Sequence, residues 1–139
     1  MKVNSFLSRG ALLLMGAGFL LLPVRAAFPE SQREALIAFY NATGGPDWKN
    51  NDRWLDEPGT ECNWYGVDCT NGELGVLRLL LNNNWLSGPI PPEISQLETL
   101  TEIDLRTNGL TSIPSEMGQL SRLEELDLSS NELTGTVPV

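Results

Sequence analysis

From residue 76 onward the apolar positions fall into one recurring pattern. Val76, Leu79, Leu81 and Leu86 surround Asn84; Leu100, Ile103, Leu105 and Leu110 surround Asn108; Leu123, Leu126, Leu128 and Leu133 surround Asn131. The units start 24 and then 23 residues apart. Such a period predicts a quasi-one-dimensional stack, in which each unit buries its apolar side only against its neighbours. The two-residue spacing inside each unit predicts a short strand, with one set of side chains facing in and the other out. The inward set comprises Leu79, Leu81 and Leu86, then Ile103, Leu105 and Leu110, then Leu126, Leu128 and Leu133. After each strand, Ile90-Pro91, Ile113-Pro114 and Val137-Pro138 turn the chain back. Ile94 with Leu97 and Met117 with Leu120 then anchor short helical turns on the convex side. The predicted fold class is α/β: a short solenoid built on a parallel strand stack.

The pattern before residue 76 is different. Leu36, Phe39 and Tyr40 have helical spacing, and Ser31 with Glu34 has the spacing of a capping box. Gly44-Gly45-Pro46 should stop this helix near Asn41–Thr43. The polar, turn-rich stretch from Asp47 to Thr60 carries Trp48 and Trp54, which are expected to bury their indoles on the helix and the first repeat. Asn71-Gly72 predicts a hairpin that pairs Val67–Cys69 with Gly75–Leu79. Together these elements form a cap over the first coil, which would otherwise expose its apolar end. The expected organisation is a signal peptide at 1–26, a cap at 27–75, and repeats at 76–139, two full and one partial.

The signal-peptide assignment rests on Lys2 and Arg9, the apolar run from Ala11 to Leu22, and a small-residue exit at Val24-Arg25-Ala26. The run is too short for the roughly 20 residues of a spanning helix. Cleavage after Ala26 leaves 113 residues with 6 basic and 18 acidic side chains, a net charge of −12. That charge argues against nucleic acid and anionic membranes as partners and is compatible with basic peptides or cations. The expected location is extracytoplasmic, either secreted or periplasmic, where a disulfide is chemically permissible. Two cysteines and no histidine cannot complete a zinc site. No metal site and no cofactor is expected. Asn41-Ala42-Thr43 has the form of a glycosylation sequon, used only in a eukaryotic secretory path, and a helix-end asparagine is the favoured explanation of it.

The run Cys62-Asn63-Trp64-Tyr65-Gly66-Val67-Asp68-Cys69, leading into Leu79 to Pro91, resembles the N-terminal cap and repeats of plant-type extracellular leucine-rich repeat proteins. Receptor-kinase ectodomains and polygalacturonase-inhibiting proteins are of this kind. The stretch from Ala35 to Trp48 is similar to the start of secreted microbial and algal members. The resemblance implies a helical, disulfide-bonded cap with Cys62 joined to Cys69, and a function of binding proteins, peptides or glycans. The chain departs from the pattern at Leu110-Thr111-Ser112-Ile113-Pro114, which is one residue shorter and lacks the glycine seen at Gly88 and Gly135.

The outward strand residues are the candidate binding surface: Leu77, Arg78, Leu80 and Asn82, then Glu102, Asp104 and Arg106, then Glu125 and Asp127. Leu77 and Leu80 either form an apolar recognition patch beside Arg78 or pack on the cap hairpin. Trp85 is expected to pack on the cap, with an exposed hot spot as the alternative. Asn84, Asn108 and Asn131 are read as a structural ladder whose amides satisfy backbone groups at the turns. The expected function is recognition of a protein, peptide or glycan on the concave strand face. The alternative is a structural, self-associating solenoid, or a fragment of a longer receptor-like protein, because the last coil has no cap in the sequence. The stacked carboxylates of Glu102 with Glu125 and Asp104 with Asp127 are the only acid–base arrangement. Without histidine, reactive thiol or phosphate loop they point to a solvated face rather than an enzyme.

Overall fold

The computed structural model describes residues 27–72 and 75–136. The signal-peptide reading of residues 1–26 and the turn at Val137-Pro138 lie outside the described residues.

Helix α1 spans Glu30–Ala42 and buries Ala35, Leu36, Phe39 and Tyr40 on one side. It starts one residue before the expected capping box. Pro29 occupies the N-cap, its carbonyl accepts the N–H groups of Gln32 and Arg33, and no side chain caps the helix. Proline fixes an extended entry and so replaces a serine cap here. Gly44, at φ 73°, provides the left-handed stop after Ala42.

Strand β1 (Val67–Cys69) pairs antiparallel with β2 (Val76–Leu80), with Val67 opposite Leu79 and Cys69 opposite Val76. This is the hairpin expected from Asn71-Gly72. Strands β4 (Glu102–Asp104) and β6 (Glu125–Asp127) add to β2 in parallel, giving the order β1-β2-β4-β6. Leu79, Ile103 and Leu126 stand in register across the three parallel strands. A second parallel pair was not expected from the sequence: β3 (Ser87–Pro89) runs beside β5 (Gly109–Ser112). A third row consists of 3-10 turns at Pro92–Gln96 and Ser115–Gln119, which bury Ile94 and Met117. Helix α1 packs on the first of these turns, and the two turns pack on each other. Thus α1 stands in the row where each repeat places a 3-10 turn, one layer ahead of the first repeat.

The core runs from α1 through the loop tryptophans to Leu120. Phe39, Tyr40, Trp48, Trp54 and Trp64 form a chain of ring contacts, with centroids between 4.9 and 6.1 Å apart. Each buried indole N–H has an acceptor: Trp48 on Thr43 O, Trp54 on Tyr65 O, and Trp64 on Thr60 Oγ1. That satisfies the polar end of each ring and lets the rest be buried at little cost. Arg33 and Glu61 form an ion pair beneath this cluster, with Glu61 only 1% exposed. Arg33 also lies over the Trp64 ring, 5.2 Å from its centroid. Cys62 and Cys69 are disulfide-bonded, which ties the Glu61-bearing turn to β1.

The last repeat departs from the expected burial. Leu79, Ile103, Leu81 and Leu105 are fully buried, whereas Leu126 is 43% exposed and Leu128 and Leu133 are only partly covered. Inward-facing residues are buried by the coil stacked beyond them. Among the described residues no strand lies on the far side of β6.

Candidate binding face

The outward side chains of β2, β4 and β6 form two rows because the strands are in register. Arg78, Glu102 and Glu125 make the first row; Leu80, Asp104 and Asp127 make the second. Asp68 extends the first row onto β1, opposite Arg78. Both arginines of the face stand between carboxylates. Arg78 pairs with Asp68 and, at 3.9 Å, with Glu102. Arg106 lies 3.5 Å from Asp104 and 3.7 Å from Asp127. Glu125 has no ion pair among the described residues. The arginines are therefore neutralised within the face, and its uncompensated charge is negative.

Ser129 holds the Asp127 carboxyl below the ordinary carboxylate range. Its hydroxyl donates to Asp127 Oδ1 at 2.6 Å and its backbone N–H at 3.0 Å, and the Arg106 charge acts in the same direction. A carboxyl serving as a general acid near neutral pH needs the opposite shift. Asp127 is thus arranged to stay ionised, and Arg106 lies between it and Asp104.

Leu77 and Leu80 are half-buried, which falls between the two expectations for them. The Leu80 N–H donates to Gly66 O on the cap side, and Leu80 stands beside Asp104 of β4 on the other. Asn82 is half-buried and Asn83 exposed, and neither side chain has a hydrogen-bond partner among the described residues. Trp85 follows the alternative given for it, exposure, rather than packing on the cap: it is 65% exposed. Its backbone is left-handed, at φ 62°, which turns the indole away while Asn84 and Leu86 on either side go inward.

The three ladder asparagines lie at the turns after the strands. Asn108 Nδ2 donates to Leu81 O and Leu105 O, both at 2.9 Å, and its Oδ1 accepts the N–H groups of Asn84 and Leu86 at 3.0 Å. Asn131 repeats this one coil later, bridging Leu105 O and Leu128 O and accepting the Leu110 N–H. Asn84 makes the same contacts to the loop before the repeats: Nδ2 donates to Asn50 O and Oδ1 accepts the Asn50 N–H. The cap loop therefore supplies the backbone that a preceding coil would supply. Each amide satisfies donors and acceptors that a turn leaves without partners.

Sequence reasoning did not find the Arg33–Glu61 pair, the Asp68–Arg78 contact, or Gln32. Gln32 is buried on α1, and its Oε1 accepts the Val76 N–H at 2.8 Å. The one signal available for Gln32 was a polar residue three positions before Ala35, on the apolar face of the helix.

Comparison with known proteins agrees with the geometry. Residues 98–138 match the family described as Leucine rich repeat, and residues 76–97 match a second family of the same description. The LRR receptor-like serine/threonine-protein kinase FEI 2 of Arabidopsis thaliana is 38% identical over 77 residues, which are 55% of this chain and 13% of that protein. The chain thus spans about an eighth of that relative's length. Among solved structures, the BIR2 ectodomain from Arabidopsis thaliana is 33% identical, with a TM-score of 0.57, over 81% of this chain and 60% of the other. The Arabidopsis receptor kinase HAESA, solved with the peptide hormone IDA and the co-receptor SERK1, is 26% identical, with a TM-score of 0.68, over 79% of this chain and 19% of the other.

Proposed function

Because this is a leucine-rich repeat chain similar to plant receptor-kinase ectodomains, we propose that it is an extracytoplasmic binding module that holds a protein or peptide segment against the concave strand face. It reads as a short solenoid, with a cap at 27–75 and repeats at 76–139. The observation that carries the reading is the registered pair of rows on β2, β4 and β6, because side chains from three strands converge on one face without a deep cleft. The contact residues would be Leu77, Arg78, Leu80, Asn82, Glu102, Asp104, Arg106, Glu125 and Asp127. The peptide complex of HAESA supports a peptide over other ligand classes. Among the described residues no helix is long and apolar enough to cross a membrane.

The test is selection of a displayed random-peptide library on the purified chain. Selected peptides should lose at least tenfold in affinity on a chain carrying Asp104→Ala and Asp127→Ala. Selection of none, or of peptides indifferent to both substitutions, contradicts the concave-face reading.

The exposure of Leu126 and the edge of β6, unpaired among the described residues, support one second reading, in which two copies pair through that edge. Sedimentation of the chain decides it: a monomer across a hundredfold range of concentration rules the pairing out.

A further inference from the structure

Three of the four tryptophans are buried, with their indole N–H groups bonded. Trp85 is the exception. Two-thirds of it is open to solvent, and among the described residues its Nε1–H has no acceptor and no cation lies over its ring. Lys49 is close by, since its backbone N–H donates to Asn84 O at 3.1 Å, yet the cation–π contact among the described residues is Arg33 over Trp64. Burial therefore does not explain this side chain. Its backbone is also in a region where glycine or asparagine fits with less strain. Folding would be served as well or better by a glycine at 85.

The indole is nevertheless held on a rigid base. Asn84 and Leu86, on either side of it, are each 1% exposed. Asn84 is bonded through its side chain to Asn50, and the Leu86 N–H is held by Asn108. An exposed aromatic ring on fixed backbone loses little freedom when a partner covers it, which is what an interface anchor requires.

The charge of the strand face selects the partner. The two arginines of the strand face are already paired with carboxylates, and Glu102, Glu125, Asp104 and Asp127 leave the face negative. The full chain carries a formal charge of −9. Positions corresponding to Trp85 in the next two repeats are Gly109 and Glu132, so the later coils bring no competing cation to that column. A guanidinium or ammonium group stacks favourably on an indole, and the chain itself uses that contact at Arg33 and Trp64.

We propose that Trp85 is the anchor for a basic peptide segment: an arginine or lysine stacks on the indole, and further basic side chains reach the carboxylate rows on β4 and β6. Trp85 stands five residues beyond the end of β2, and β2 to β6 is about 10 Å at ordinary strand spacing, so a segment of about six extended residues is long enough to reach from the indole to β6. This rests on the concave-face reading, and its test separates the two.

The probe is hexa-arginine, with hexaglutamate as control, titrated into the nitrogen-15 labelled chain. The four indole N–H signals report each tryptophan separately, and Trp85→Gly identifies the one that matters. Hexa-arginine should shift the Trp85 signal and leave the other three in place; hexaglutamate should shift none. Trp85→Gly should melt at the same temperature or higher and bind hexa-arginine at least tenfold more weakly, while Trp85→Phe retains most of the affinity. Binding that leaves the Trp85 signal unmoved overturns the anchor and spares the face. Failure of hexa-arginine to bind, alongside peptides selected from the library that do, overturns the basic partner and also spares the face. A large drop in melting temperature for Trp85→Gly shows a structural role and overturns the proposal.

Discussion

The two ends of the described chain treat the same kind of side chain in opposite ways. At the cap end, Leu79 stands between Val67 of β1 on one side and Ile103 of the next coil on the other, and it is fully buried. At the far end, Leu126 has the same place in its motif, on a strand in register with the others, and is nearly half exposed. The intrinsic preference of leucine is identical in the two places. What differs is whether something stacks beyond it. In a repeat protein, burial belongs to the interface between units, and a motif read from one unit fixes direction but not depth.

The largest test of this contrast concerns the cap. Arg33 neutralises Glu61, which is almost wholly buried, and Arg33→Ala leaves that carboxylate without its charge partner. The expected loss is about 3–5 kcal/mol, read from the denaturant midpoint. A loss under about 1 kcal/mol would mean that the cap is not a locked unit. Next comes a paired substitution in the repeats. Ile103→Ala should cost about 2–5 kcal/mol, as for a full-depth cavity, whereas Leu126→Ala should cost less than about 1 kcal/mol. Equal losses would erase the difference between the ends.

The asparagine ladder gives a smaller contrast. Asn108→Ala leaves the Asn84 and Leu86 N–H groups and the Leu81 carbonyl without this partner, while Leu105 O keeps its bond from Asn131, at a cost of about 1–3 kcal/mol. Asn131→Ala, in the more open coil, should cost about half as much or less, because water can reach the released groups. Thermal unfolding of the two variants side by side measures this. The smallest effect is pH dependence at Asp127. Its folded carboxyl is held below the ordinary range, so it contributes stability above that range and loses it as pH falls through the lowered value. Asp127→Asn should flatten that part of the acid limb of the melting curve, and Ser129→Ala should reduce it.

Much of this was legible because it is periodic. The strand positions, the 3-10 turns at Ile94 and Met117, the hairpin after Cys69 and the asparagine turns follow from spacings that repeat or from local turn chemistry. The parallel pair β3–β5 was not legible, because Ser87–Pro89 has neither alternation nor β-branched residues; it forms where backbones are brought together by coils already stacked. The Arg33–Glu61 pair joins residues 28 positions apart, and no spacing rule reaches that far. The outward residues of the face followed from alternation along a strand, but their pairing did not. Arg106 lies between Asp104 and Asp127 only because two strands align. Trp85 was misjudged for a local reason: an aromatic residue between buried neighbours usually shares their burial, and a left-handed backbone at that residue reverses its direction.

The claim that burial is conferred by the neighbouring coil is tested most directly by amide hydrogen exchange on the intact chain, resolved strand by strand. Protection should be highest in β2 and β4, at or near the global stability, and lowest in β6, several orders of magnitude weaker. Equal protection in β4 and β6 would contradict it, because the last strand would then be as firmly held as one enclosed on both sides.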